Sequence, residues 1–309
     1  MRAVRSAPPG VVVVDVDEPT GPGEFVAIKS AGICASDFLY IGFGSTMLLG
    51  HELAGVTEDG TPVAIEALFG CGGCEQCDQG HVNLCVHGPT ALGVTSDGGM
   101  SEYFTAPTSA LVPLPVGLAV EDACLVEPAS VAWHACRIAG VGPDLRVAVI
   151  GGGAVGLLAA AAAQAMGAAE VAIEARHPHQ RAVAERLGVT ETSGQYDVVI
   201  EAAGSGSALD RATEVARPGG TLGVLGVFPS DVVWPQHACF LKELRTVPSL
   251  GYCRHHGGRD FEDAAALLAS NPELVDALIT HRFPIADAEE AFRVASDRSA
   301  GALRVVLVP

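Results

Sequence analysis

The sequence lacks any concentration of basic charge. Eighteen lysines and arginines stand against thirty-six acidic residues in 309, a net charge of -18, with no cluster fit to follow a phosphate backbone or an anionic lipid surface. Nucleic acid and membrane are therefore excluded as expected partners. Long apolar runs are also missing: the longest, LLAAAAAQAMGAA, is too short and too glycine-flanked to span a bilayer. The N-terminal MRAVRSAPPG has no signal-like apolar core, so a cytosolic (cytoplasmic) protein is expected. Without an export signal, the nine cysteines are expected as metal ligands or free thiols rather than disulfides. There is no internal repeat and no low-complexity tail. What is present in quantity is apolar surface, 49% of residues, enough for a substantial core and two domains of ordinary size.

The texture changes along the chain. Strand-like runs broken by proline and glycine, VVVVDV and FVAIKSA among them, suggest a small antiparallel region that continues to about residue 120. From about residue 128 strand, glycine turn and alanine-rich helix alternate: RVAVIGGGAVGLLAAAAAQAMGA, EVAIEA, a helix through Arg181 to Leu187, YDVVIEAAG and GGTLGVLGV. That order predicts an α/β domain with a doubly wound parallel sheet. A helix is expected in DFEDAAALLAS, and the terminal ALRVVLVP is expected to return to the first domain. The boundaries read as 1–127 with 251–309 for one domain and 128–250 for the other.

Gly151, Gly153 and Gly156 form G-x-G-x-x-G between the strand RVAVI and the helix AVGLLAAAAAQA. In that setting the glycines allow a tight turn, a close backbone approach to a pyrophosphate and close helix–strand packing, which predicts dinucleotide binding. Ala154 and Val155 lie within the turn. Ala203, Leu225, Gly226 and Val227, after the later strands, complete the candidate cofactor contacts. The carboxylate that grips a ribose 2'-hydroxyl belongs about twenty residues beyond the turn, and that position is Ala175. Arg176 follows it and Arg181 lies one helical turn on, so two cations flank the place of a 2'-phosphate. NADP is favoured over NAD; the other reading leaves both arginines as surface charges and gives the ribose to Glu174.

Cys71, Cys74, Cys77 and Cys85 are spaced C-x2-C-x2-C-x7-C. Four thiolates so close can surround one tetrahedral zinc, and the interleaved glycines permit the loop. Such a closed site stabilises a lobe and does no chemistry.

Cys34 in GICASD, His51 and Glu52 in GHE, and Glu127 in LVEPASVAWHA form a looser set that spacing alone does not define. Together with GHELAG, the four-cysteine lobe, the glycine turn, EAAGSGSALDRATEVARPGGTLGVLG and ITHRFPIADAEEAF, in that order, they resemble the zinc-dependent medium-chain dehydrogenase/reductase family, the alcohol and polyol dehydrogenases. The resemblance covers nearly the whole length. It implies a GroES-like, mostly β catalytic domain beside a Rossmann domain, and a catalytic zinc held by Cys34, His51 and Glu127. Glu52 is implied either as a direct ligand or as one that swings in during exchange, and Asp37 as orienting a ligand. Glutamate at 127 is similar to the sorbitol dehydrogenase branch.

The implied reaction is reversible alcohol oxidation with hydride transfer to the nicotinamide. Ser36 is implied as first proton acceptor. Relatives often carry a histidine where this chain has Leu39, and the polyol dehydrogenases an arginine where it has Tyr252, which argues against a sugar alcohol. The segments from Cys34 to His51 and from Gly55 to Cys71 are shorter than usual, so a wider or reshaped pocket is expected. Tyr40, Phe43, Trp133 and Tyr252 are candidates to line it. Arg282 and Lys242 match family positions near the domain junction and the cofactor.

The leading expectation is an NADP-dependent zinc alcohol dehydrogenase with two zincs per chain, acting on a secondary, apolar or cyclic alcohol or its ketone. An NAD-dependent polyol or diol dehydrogenase and a non-catalytic NADP-binding protein with a structural zinc are the alternatives. Relatives assemble as dimers or tetramers, and the apolar GTLGVLGVF run is compatible with a homodimer or homotetramer.

Overall fold

Glu24–Gly32 buries Val26, Ile28 and Ser30 on one side while exposing Lys29, and a sheet is built around it. The computed structural model describes residues 1–309, the side chain of residue 298 excepted. The sheet runs in the order Ile279–Pro284, Arg304–Val308, Glu24–Gly32, Glu52–Thr57, Pro62–Ile65, Leu111–Pro113, and Tyr103–Ala106 also pairs with Glu24–Gly32. All but one of these pairings are antiparallel; Ile279–Pro284 and Arg304–Val308 run parallel. The terminal segment thus returns from the far end of the sequence to pair Leu307 with Ala31 and Val306 with Gly32. Beneath the sheet Val26, Ile28, Leu53, Val63, Ile65 and Leu307 share one buried cluster. With the Arg2–Ala7/Gly10–Asp15 hairpin they belong to a unit of Met1–Glu127 and Cys253–Pro309.

The second unit, Pro128–Tyr252, holds five parallel strands in the order Glu170–Glu174, Arg146–Ile150, Tyr196–Glu201, Ala216–Val224, Arg245–Pro248. The chain leaves Arg146–Ile150 to one side and returns on the other, so the strand order reverses at its carboxyl end. Open parallel sheets bind their ligands at such a reversal. The helix Ala154–Ala165 follows there, its alanines and leucines almost wholly buried. Small side chains let it lie close to the sheet, and a Cβ at Gly156 would stand 1.9 Å from the carbonyl oxygen of Gly151. Among the described residues no helix is long and apolar enough to cross a membrane.

Candidate active site

Strand register brings the first cluster together. Gly32 lies opposite Glu52 in the sheet, so the residues just beyond each strand end, Cys34 and His51, come to the same place. A Cβ at position 32 would stand 2.2 Å from Glu52 Oε2, so only glycine leaves room for the carboxylate. One ligand atom each from Cys34, His51 and Glu52 lies within 4.8 Å of the others. Glu127 is buried in the first turn of Val126–Ala139, close enough to His51 for the two charges to act on each other.

Cys34 also caps the helix Ala35–Gly42, and its amide donates to Asp37 Oδ2 at 2.9 Å. The other oxygen of Asp37 is 3.6 Å from His51 Nδ1. A carboxylate there favours the proton on Nδ1 and leaves Nε2 for a metal. Ser36 Oγ is 3.2 Å from Cys34 Sγ and 3.2 Å from His51 Nε2. Glu52, fully buried, pairs with Arg304 Nη1 at 2.8 Å, and the same nitrogen donates to the carbonyl of Ile33 at 3.1 Å.

The cluster is rich in anions for its burial. Burial opposes charging His51, yet Asp37, Cys34 and Glu127 outweigh it and raise its pKa well above the ordinary value. Burial pushes Glu127 up to about 7, His51 pulling the other way. A pocket that favours positive charge, with a thiol, an imidazole and carboxylates in reach, fits a divalent transition metal such as zinc.

The four cysteines of the lobe also converge within 4.8 Å. Cys71 and Cys77 sulfurs are 4.0 Å apart, as are those of Cys74 and Cys85. Zinc–sulfur bonds of about 2.3 Å in a tetrahedron separate sulfurs by about 3.8 Å, so the lobe has the dimensions of a filled zinc site. Backbone amides of Cys77 and Val86 bring the Cys74 thiol down to about 6, toward the thiolate a metal needs. All nine cysteines are free of disulfides.

In the second unit the predicted cofactor residues gather at the carboxyl ends of the strands. Gly151 takes φ +122°, and Gly153 caps the helix with open space where its Cβ would be. Ala154, Val155 and Gly156 form its first turn. Ala203 follows Tyr196–Glu201, and Leu225, Gly226 and Val227 follow Ala216–Val224. A Cβ at Gly152 would meet that of Ala175 at 2.4 Å, so Ala175 faces the glycine turn. Its neighbour Glu174 instead pairs with Arg211, Nε and Nη2 each at 2.8 Å, and accepts from Thr192 Oγ1. Arg176 is exposed, and Arg181 Nη1 donates to the carbonyls of Ala175 and Arg176 at 3.2 and 2.8 Å.

The aromatic candidates differ in burial and in the unit that carries them. Tyr40 is half-buried on the helix that carries Ser36, Phe43 ends that helix 74% exposed, and Trp133 and Tyr252 belong to the second unit, Tyr252 fully buried. Lys242 and Arg282 find partners inside their own units. Lys242 Nζ donates to the carbonyls of Thr213, Glu214 and Ala216 at the end of a helix, a favourable place for a cation. Arg282 pairs with Asp122 and donates to the Glu121 carbonyl. Arg304 escaped the sequence reading; the signal for it was a lone arginine within the apolar run ALRVVLVP.

Residues 154–270 match the family described as zinc-binding dehydrogenase, and residues 21–116 the alcohol dehydrogenase GroES-like domain. Sorbitol dehydrogenase 1 of Saccharomyces cerevisiae is 31% identical over 308 residues, covering 86% of this chain and 85% of that protein. L-galactonate-5-dehydrogenase of Escherichia coli is 30% identical, covering 88% of each chain. Among solved structures, a Sinorhizobium meliloti protein titled as a zinc-binding dehydrogenase bound to NADP superposes with a TM-score of 0.87 at 28% identity, covering 100% of this chain and 99% of that one.

Proposed function

The chain belongs to the zinc-dependent medium-chain dehydrogenase family, on its sorbitol dehydrogenase-like side, and on that premise we propose that it oxidises a secondary alcohol to a ketone, reversibly, with NADP. It is an oxidoreductase of alcohols that uses zinc and a nicotinamide cofactor. The observation that carries the reaction is the convergence of Cys34, His51 and Glu52 within 4.8 Å with Ser36 Oγ 3.2 Å from two of them.

Bound zinc supplies a Lewis acid that lowers the pKa of an alcohol, and bound nicotinamide accepts the hydride. The chain's own groups do the rest. Cys34, His51 and a carboxylate from Glu52 or Glu127 would hold the metal. Asp37 fixes the imidazole, and Ser36 takes the hydroxyl proton and passes it toward solvent. Arg304 balances the charge of Glu52, which would otherwise be costly to bury.

For the cofactor, Ala175 at the ribose position and two flanking arginines support NADP. Glu174 supports it too, since its carboxylate is engaged by Arg211 and Thr192. For the substrate, Tyr40 beside Ser36, and Tyr252 where the polyol branch carries arginine, support an apolar or cyclic alcohol. The names of the yeast and Escherichia coli relatives favour a second reading, a polyhydroxylated substrate with NAD. Coenzyme-dependent rates with both cofactors over cyclohexanol, 2,3-butanediol and sorbitol separate the two: fastest NADP reduction with cyclohexanol is expected, and fastest NAD reduction with sorbitol overturns the proposal. The same preparation is expected to carry two zincs per chain, falling to one in Cys77→Ser. Two zincs retained in that variant count against a structural metal in the lobe.

Val233, Phe240 and Leu241 are 90%, 76% and 65% exposed in the second unit. So much uncovered apolar surface supports a homodimer formed through this face. Val233→Glu is expected to sediment as a monomer, and an unchanged assembly rules this face out.

A further inference from the structure

Glu201 ends the strand Tyr196–Glu201 with its side chain fully buried, and among the described residues it has no ion-pair partner. Its side-chain Oε1 takes the amides of Ala203 at 2.9 Å and Gly204 at 2.8 Å, and the amides of Ser205 and Gly226 also favour the charged carboxylate. Its backbone carbonyl takes the amides of Leu225 and Gly226, each at 2.9 Å. One residue thus collects four N–H groups from two loops, 202–205 and 225–227. Oε2 has no hydrogen-bond partner, and a Cβ at Gly226 would stand 2.5 Å from it.

The loops are fitted backbone to backbone around this carboxylate. Gly204 takes φ +63°, and its Cβ would stand 2.3 Å from the carbonyl oxygen of Val227; one at Gly226 would stand 2.3 Å from the Gly204 nitrogen. One at Gly151, in the glycine turn, would come within 2.9 Å of Ala203 N. Burial raises the pKa of Glu201 while the loop amides lower it. A buried anion held by amides alone is expensive, and a hydrocarbon of the same shape would avoid the desolvation.

Strand order says what the loops face. The ribose carrying the extra phosphate belongs at Ala175 and Arg176 on one side of the glycine turn, and Tyr196–Glu201 and Ala216–Val224 lie on the other. A dinucleotide laid across the turn therefore extends its nicotinamide half over 203–204 and 225–227. We infer that Glu201 is a positioning residue for that half of the cofactor, tying the two loops so that they present one fixed backbone surface. The inference rests on the dinucleotide reading above.

Binding of NADPH, followed by its fluorescence, is compared with binding of adenosine 2',5'-bisphosphate, which lacks the nicotinamide half, in the zinc-loaded protein. Glu201→Leu, which removes both acceptors, is expected to weaken NADPH at least tenfold and the bisphosphate less than twofold. Glu201→Gln keeps one acceptor oxygen and is expected to lie between, with at least a threefold selective loss. Unchanged NADPH affinity, or equal loss for both ligands, overturns the inference. Where the leucine variant fails to fold, the glutamine variant decides by the same criterion. A wild-type protein that binds neither ligand overturns the dinucleotide reading itself, a result distinct from the selective loss.

Discussion

His51→Ala is expected to lower kcat/KM for alcohol oxidation by about a thousandfold or more, with one zinc per chain lost and the four-cysteine lobe still loaded. A positioned Lewis acid contributes several kcal/mol of charge stabilisation, and about 1.4 kcal/mol is one decade in rate. Among the described residues His51 is the one imidazole in the group with Cys34 and Glu52. Asp37→Asn is the graded control. It keeps the shape but removes the charge 3.6 Å from Nδ1, and a loss of about 10- to 100-fold in activity or metal affinity is expected. A His51→Ala enzyme with near-normal turnover and full zinc would mean that the metal group lies elsewhere.

The second large effect is a reversal of cofactor preference. Ala175→Asp with Arg176→Ser is expected to shift the ratio of kcat/KM for NADP over NAD by about 10²- to 10³-fold toward NAD. Each charge-assisted hydrogen bond to the 2'-phosphate contributes about 1.5–3 kcal/mol, and the new carboxylate both repels the phosphate and accepts from a free 2'-hydroxyl. Position 175 can take that side chain because Gly152 opposite has no Cβ. Arg181, anchored by the carbonyls of Ala175 and Arg176, stays in the double variant, so some NADP activity is expected to remain. An unchanged ratio would show that neither position reads the phosphate.

The two readings of Glu174 illustrate where sequence stops. Sequence could say only that a glutamate stands one residue before the ribose position. Strand alternation sends successive side chains to opposite faces, and in the folded unit Glu174 meets Arg211 and Thr192 while Ala175 meets the glycine turn. Arg282 and Lys242 were ambiguous in the same manner. Each binds carbonyls or a carboxylate within its own unit.

The glycine turn, the four-cysteine lobe and the alternation of strand and helix were legible because each is written within a few tens of residues. Their chemistry depends on local backbone reach. The metal group could be suggested only by resemblance, since position 34 meets position 51 through the pairing of Gly32 with Glu52, and Arg304 joins them from the last strand, 270 residues from Cys34. That Glu52 comes within 4.8 Å of the sulfur and the imidazole was decided by sheet register, which no short window of sequence contains.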